Sequence, residues 1–202
     1  MQNYNFPNLN DLKDFFIRNE FKRTLIICGK NSYESSGAKK ILDNILKEKN
    51  VNIFFKSNLY PDFKELKQIL LMINKISPDI IIAVGGGSVI DYAKIANVLD
   101  ISTNLKSEII EKNYKIKKKT VLIALPTTAG SGAEVTPNAV LYIDKIKHSI
   151  EGDPLKPDYF FLMPNLVKSA STKIRSSAGF DAIAQAFESL ISKKSNEQSV
   201  EF

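Results

Sequence analysis

The run IIIAVGGGSVIDYAKIA at residues 80–96 is apolar without a break until three consecutive glycines and a serine, after which apolar positions recur with helical spacing. A short run of this kind is what a strand buried on both faces requires, so the glycines mark the hand-over from a central parallel strand to a helix. Glycine admits positive φ and lets another group approach the backbone closely. At the carboxyl end of a strand and the start of a helix, unclaimed amides and the positive end of the helix dipole form a site for phosphate. Ser88 stands where it can cap that helix, with Asp91 three residues on as its capping-box partner. A tight turn that binds nothing is the other reading of the glycines by themselves. No Lys-Ser/Thr follows them as in a P-loop, and Ile90 stands where the common dinucleotide fingerprint has its third glycine.

The same alternation extends along the chain. RTLIICG (23–29), VNIFF (51–55), DIIIAVG (79–85) and TVLIALP (120–126) read as strands. Between them SGAKKILDNILKEKN, PDFKELKQILLMINKIS and VIDYAKIANVL read as helices. This βαβα order predicts an α/β fold, a parallel sheet with helices on both faces. NAVLYID and DYFFLMP are short strand candidates joined by a turn-rich segment, KIKHSIEGDPLKP. From about Ser169 the pattern turns helical, clearest in DAIAQAFESLIS, which puts a domain boundary near 165–175. The end of the sequence runs inside a helical pattern with no stop signal, the mark of a piece of a longer protein.

A second polar turn, PTTAGSGAE at 126–134, follows the fourth strand and carries Thr127, Thr128 and Ser131 among two glycines. Parallel strands that each end in a small, hydroxyl-rich loop bring those loops together at one sheet edge, where open α/β sheets bind ligands.

Composition narrows the alternatives. Of 202 residues 44% are hydrophobic and 25% charged, as in a globular protein with a substantial core. The net charge of +6 concentrates only in KIKKKT at 115–120, which reads as a solvated basic loop and not as a nucleic-acid surface. The single cysteine, Cys28, lies in the apolar TLIICG and excludes a disulfide within the chain. No apolar signal core opens the sequence and no run reaches the roughly 18 apolar residues of a membrane span, so the expected location is the cytoplasm.

The two glycine turns together resemble the iron-containing (group III) alcohol dehydrogenase superfamily, whose signatures look like GGGS..D.AK and PTTAG.GSE. Here these are Gly85, Gly86, Gly87, Ser88, Asp91, Ala93 and Lys94, then Pro126 through Glu134. The likeness continues through Lys147, GDPLKPDYFFLMP and AGFDAIAQAFESLIS, the last similar to the family's TG.DA..H..E. It implies a Rossmann-like nicotinamide dinucleotide-binding domain over residues 1–168 and the first helices of an incomplete helical metal and substrate domain over 169–202. The implied activity is hydride transfer between a small alcohol and its aldehyde, with a homodimer as a possible assembly. By the resemblance Gly85, Gly86, Gly87, Ser88 and Asp91 belong to the cofactor loop. Thr127, Thr128 and Ser131 line nicotinamide and ribose, and Lys147 reaches the ribose hydroxyls. Family members that prefer NAD tend to carry an aspartate at the end of the first strand. This chain has Gly29, then Lys30, Asn31 and Ser32, neutral and basic groups that suit a 2′-phosphate. NADP is therefore favoured, with NAD open.

The resemblance also implies a divalent ion, iron or zinc, held by one aspartate and three histidines, the first two ligands four residues apart on one helix face. Asp181 matches, but the next position is Gln185, a weaker ligand for such ions than imidazole. The lone histidine, His148, lies in the turn-rich segment and reads as a surface residue. Glutamine at this position is similar to the branch of phosphonoacetaldehyde reductases, which implies a small phosphonate aldehyde as substrate. Two rivals stay open: a lyase resembling dehydroquinate synthase or a glycerol-1-phosphate dehydrogenase on the same scaffold, and a cofactor-binding fragment without catalysis.

Overall fold

The computed structural model describes residues 8–47 and 49–201. Strand β1 (Arg23–Gly29) lies inside its sheet, and Thr24 through Cys28 are all buried. Leu25 and Ile27 join one apolar cluster while Ile26 and Cys28 join another, because successive side chains of a strand point to opposite faces. Strands β2 (Asn50–Lys56), β3 (Ile80–Gly85), β4 (Val121–Pro126) and the two-residue β7 (Tyr159–Phe160) complete a parallel sheet in the order β2-β1-β3-β4-β7. Helices α4 (Phe63–Ile76), α5 (Gly87–Val98) and α6 (Leu105–Ile110) cover one face. The other is covered by α1 (Leu9–Arg18), α2 (Lys30–Ser35), α3 (Ala38–Ile45) and α7 (Pro164–Lys168). Helices on both faces of a parallel sheet are the architecture that the alternating pattern predicts.

Helix starts follow local chemistry. Asp62 caps α4 by accepting from the amides of Lys64 and Glu65, and Asn8 with Asp11 forms a capping box on α1. Helix α5 is buried on nearly all sides, Lys94 and Asn97 included, and lies between the sheet and strand β5 (Asn138–Ile143).

Three expectations change. The turn-rich segment after β5 is itself a strand, β6 (Ile146–Glu151), antiparallel to β5. The tight turn between them places Asp144 and Lys145 at φ of 50° and 67°, the left-handed pair that a two-residue hairpin demands. The KIKKKT stretch is only partly solvated: Lys118 pairs with Asp158 at 2.8 Å, and Lys119 donates to the carbonyls of Ala96 and Leu99 at the end of α5. His148 lies half-buried on β6 opposite Leu141, not in a loop. Beyond α7 come the 20-residue α8 (Thr172–Ile191) and α9 (Glu197–Glu201). Among the described residues no helix is long and apolar enough to cross a membrane.

Candidate dinucleotide site

From β1 the chain passes outward to β2, returns across β1 to β3, and continues away to β4. Strands β1 and β3 are therefore adjacent while their onward connections diverge, and ligands of open α/β sheets bind at the carboxyl ends of such a pair. Those ends are Gly29 and Gly85. Pro126 pairs with Gly85 across β3 and β4, and the Thr127 amide donates to the Gly85 carbonyl at 3.0 Å. The glycine loop and the Thr127–Ser131 loop thus share one edge.

Helix α5 starts two residues earlier than the capping-box reading requires. Its N-cap is Gly86, with φ −78° and ψ −174°, and no side chain caps it. Ser88 sits within the first turn, and Asp91 accepts not from the cap but from the Val140 amide of β5, at 3.2 Å. The amides of Gly87 and Ser88, in the first turn, have no acceptor within the helix.

Nor do these glycines use positive φ, which occurs at Gly37, Gly130, Gly132 and Gly152 instead. Their role is close packing. A Cβ on Gly85 would lie 2.5 Å from Val89 Cγ2, one on Gly86 2.9 Å from Thr128 Oγ1, and one on Gly87 3.1 Å from Ser131 Oγ. Missing side chains let the two loops close on each other, so Thr128 and Ser131 stand directly against the phosphate-type turn.

A cleft of about 590 Å³ crosses the sheet ends from Lys56–Leu59 past Gly29–Ser32 to Thr127 and Thr128. Two lysines, Lys30 and Lys56, line it, and no aspartate or glutamate does. Sequence reasoning does not reach Lys56, Ser57 or Asn58. The order of the parallel strands is the signal that finds them, since the β2 end must lie beside the β1 end. At Thr128 the cleft adjoins a second hollow of about 490 Å³, walled by Leu162, Met163 and Val167 with Lys168 and Arg175 at its margin.

Behind the glycine loop lies a charged cluster. Lys94 is fully buried and donates to Thr136 Oγ1 at 3.0 Å and the Asn138 carbonyl at 2.9 Å, fastening the β5–β6 hairpin to α5. Burial pushes the Lys94 ammonium down to about 8, against the opposing pull of Asp91 and Glu134. Burial likewise pushes Asp91 up to about 6, although the Val140 amide, Lys94 and Lys147 favour its charged form. Lys147 is exposed on β6, within electrostatic range of Asp91, and lines neither cleft. Cys28 is buried in β1 and burial pushes its thiol up to about 12, so it serves as a core hydrophobe.

Asp181 and Gln185 lie one turn apart on α8, both exposed, and the Gln185 amide nitrogen donates to Asp181 Oδ2 at 2.9 Å. That bond occupies the carboxylate with an amide. Among the described residues no group of three or more His, Cys, Asp or Glu is placed to hold a metal ion. Asp181 and Gln185 together offer one carboxylate and one neutral amide, two of the donors that an iron or zinc site needs.

A sequence profile described as iron-containing alcohol dehydrogenase matches residues 4–164. An alcohol dehydrogenase of Thermococcus barophilus is 33% identical over 135 residues, covering 63% of this chain and 36% of its own length. The fold is similar to that of an iron-containing alcohol dehydrogenase from Thermotoga maritima, at TM-score 0.84 and 29% identity over 97% of this chain and 55% of that one. It is also similar to a sulfoacetaldehyde reductase from Bifidobacterium kashiwanohense solved with NAD+, at TM-score 0.81 and 28% identity over 96% of this chain and 54% of that one. The chain spans about half the length of these solved relatives.

Proposed function

The chain belongs to the iron-containing alcohol dehydrogenase family, and from that premise we propose that it carries the dinucleotide-binding half of an enzyme that interconverts a small alcohol and its aldehyde. A nicotinamide cofactor, when bound, would supply the hydride for the carbonyl carbon. In this reading the amides of Gly87 and Ser88 bind the diphosphate, and Thr127, Thr128 and Ser131 hold the nicotinamide end. Gly29 through Ser32 receive the adenosine ribose, and Lys147 reaches ribose hydroxyls from the hairpin. Asp91 and Lys94 keep the hairpin in place. The residues up to 168 form the cofactor domain and those from 169 begin the helical one.

One observation carries the proposal: an uncapped helix start, sealed laterally by Thr128 and Ser131, opens at the switch point of the sheet. The finer assignments follow from the surroundings. A cleft with two lysines and no carboxylate supports NADP over NAD. Gln185 and the likeness to a sulfoacetaldehyde reductase support a short aldehyde with an anionic head group, phosphonoacetaldehyde in particular.

The chain has no tryptophan, so the emission of a reduced nicotinamide can be followed without that background. Titrating the chain into NADPH is expected to give a saturable rise in nicotinamide emission that excess NADP+ reverses. No change in emission, with no heat of binding by calorimetry, would remove the basis of the proposal.

A further inference from the structure

We infer that Lys56 is the residue by which this cleft selects a dinucleotide bearing a 2′-phosphate, an inference that rests on the cleft being the dinucleotide site. The topology decides which end of the dinucleotide arrives there. With the diphosphate at the end of β3 and the nicotinamide towards the loop after β4, the adenosine end runs the other way, over β1 and then β2. The ends of those strands are Gly29 and Lys56, which are partners in the parallel register. Neighbouring strands are about 4.8 Å apart, so a ribose seated over Gly29 has Lys56 as its next neighbour.

Three features separate Lys56 from Lys30, the other lysine of the cleft. Its ammonium is already in place, donating to the carbonyls of Asn58 at 2.6 Å and Leu59 at 3.1 Å, which leaves one of its donors for a ligand. Lys30 is exposed at the start of the six-residue α2, with no comparable tether. The turn that supplies those carbonyls is fixed in its own right. Ser57 donates to Glu65 Oε1 through its amide and hydroxyl, and the Asn58 amide donates to Oε2. Tyr92 Oη donates to the same Oε2 at 2.6 Å. Tyr92 belongs to α5, so the helix that offers its amides to the diphosphate also braces the turn that aims the lysine. Finally, the acid acting on Lys56 is Glu65, and four donors already engage it. Burial holds the Lys56 ammonium below the usual lysine range despite Glu65, a penalty that an arriving phosphate would offset. An unphosphorylated ribose would present two hydroxyls to a lining without a carboxylate to accept from them.

The test compares dissociation constants for NADPH and NADH in the wild-type chain, Lys56→Met, Lys56→Arg and Lys30→Met, with circular dichroism confirming that each variant folds. Lys56→Met is expected to weaken NADPH by about tenfold to a hundredfold, the range of one charge-assisted hydrogen bond, and to leave NADH unchanged. Lys56→Arg should retain the preference, and Lys30→Met should reduce it less than Lys56→Met does. Equal losses for both nucleotides would make Lys56 a mere support of its turn and overturn the inference, as would a wild-type chain that binds both equally. A wild-type chain that binds neither nucleotide overturns the functional reading of the cleft itself.

Discussion

Strand β3 and helix α8 are both rich in apolar residues, yet all six residues of β3 are buried and none of the twenty in α8 is. The difference lies in partners. Ile80, Ile82 and Val84 meet α1, α3 and their neighbours on one face, while Ile81 and Ala83 meet α4 and α5 on the other. Helix α8 leaves Phe180, Ile183, Phe187 and Ile191 open. An apolar pattern therefore specifies an element, whereas its contribution to stability comes from what packs on it. The strongest way to break this contrast is Ile82→Ala, which opens a cavity in the centre of the sheet. It should lower the unfolding free energy by about 2–5 kcal/mol in a guanidinium titration followed by circular dichroism. A loss below about 1 kcal/mol, the size of an ordinary substitution, would mean that β3 is not the core.

Two aspartates of the family signatures divide in the same way. Asp181 is exposed on α8, whereas Asp91 is largely enclosed between α5 and the hairpin. Burial raises Asp91 from 3.8 to about 6, so between those values the folded chain binds more protons than the unfolded one. Stability contributed by this group therefore falls as pH rises from about 4 to about 6, by at most about 3 kcal/mol, and the penalty is fully present above that window. Asp91→Asn is expected to flatten that part of the profile of melting temperature against pH. A profile that keeps its slope in Asp91→Asn would show that the carboxylate is not held out of water by the hairpin.

The same division explains what the sequence reveals. Strands β1, β3 and β4 are legible because burial on both faces demands unbroken apolar runs. Strand β6 is not, since IKHSIE buries only Ile150 and its turn uses Asp144 and Lys145 where the usual hairpin signal has glycine. Helix α1, ten residues long with Leu12 and Phe16 buried, is a further element that the alternating pattern leaves out. Spelling alone locates the glycine loop, but not why it needs glycine: the contacts of Gly86 and Gly87 come from Thr128 and Ser131, more than forty residues away. The Ser88 cap fails for a related reason, because the helix begins at Gly87, which a local pattern places only to within a residue or two. Lys56 follows FF at the end of a strand and carries no motif; only strand order brings it to the cleft.

The smallest expected effect tests the contrast from its other side. Phe187 is 63% exposed on α8, so removing its ring gives up little buried area. Phe187→Ser should change stability by no more than about 0.5 kcal/mol, the range of surface substitutions. For a chain of this size that is a shift of about 1–2 °C in melting temperature by calorimetry. The same change at Phe161, which is 3% exposed beneath the sheet, should cost several times more. A drop of more than about 5 °C for Phe187→Ser would mean that α8 packs against the sheet domain through this face, because only buried contacts have that effect in a domain of this size. The phenylalanine pair then separates the two possibilities directly: unequal losses keep α8 apart from the core, and equal losses join it to the core.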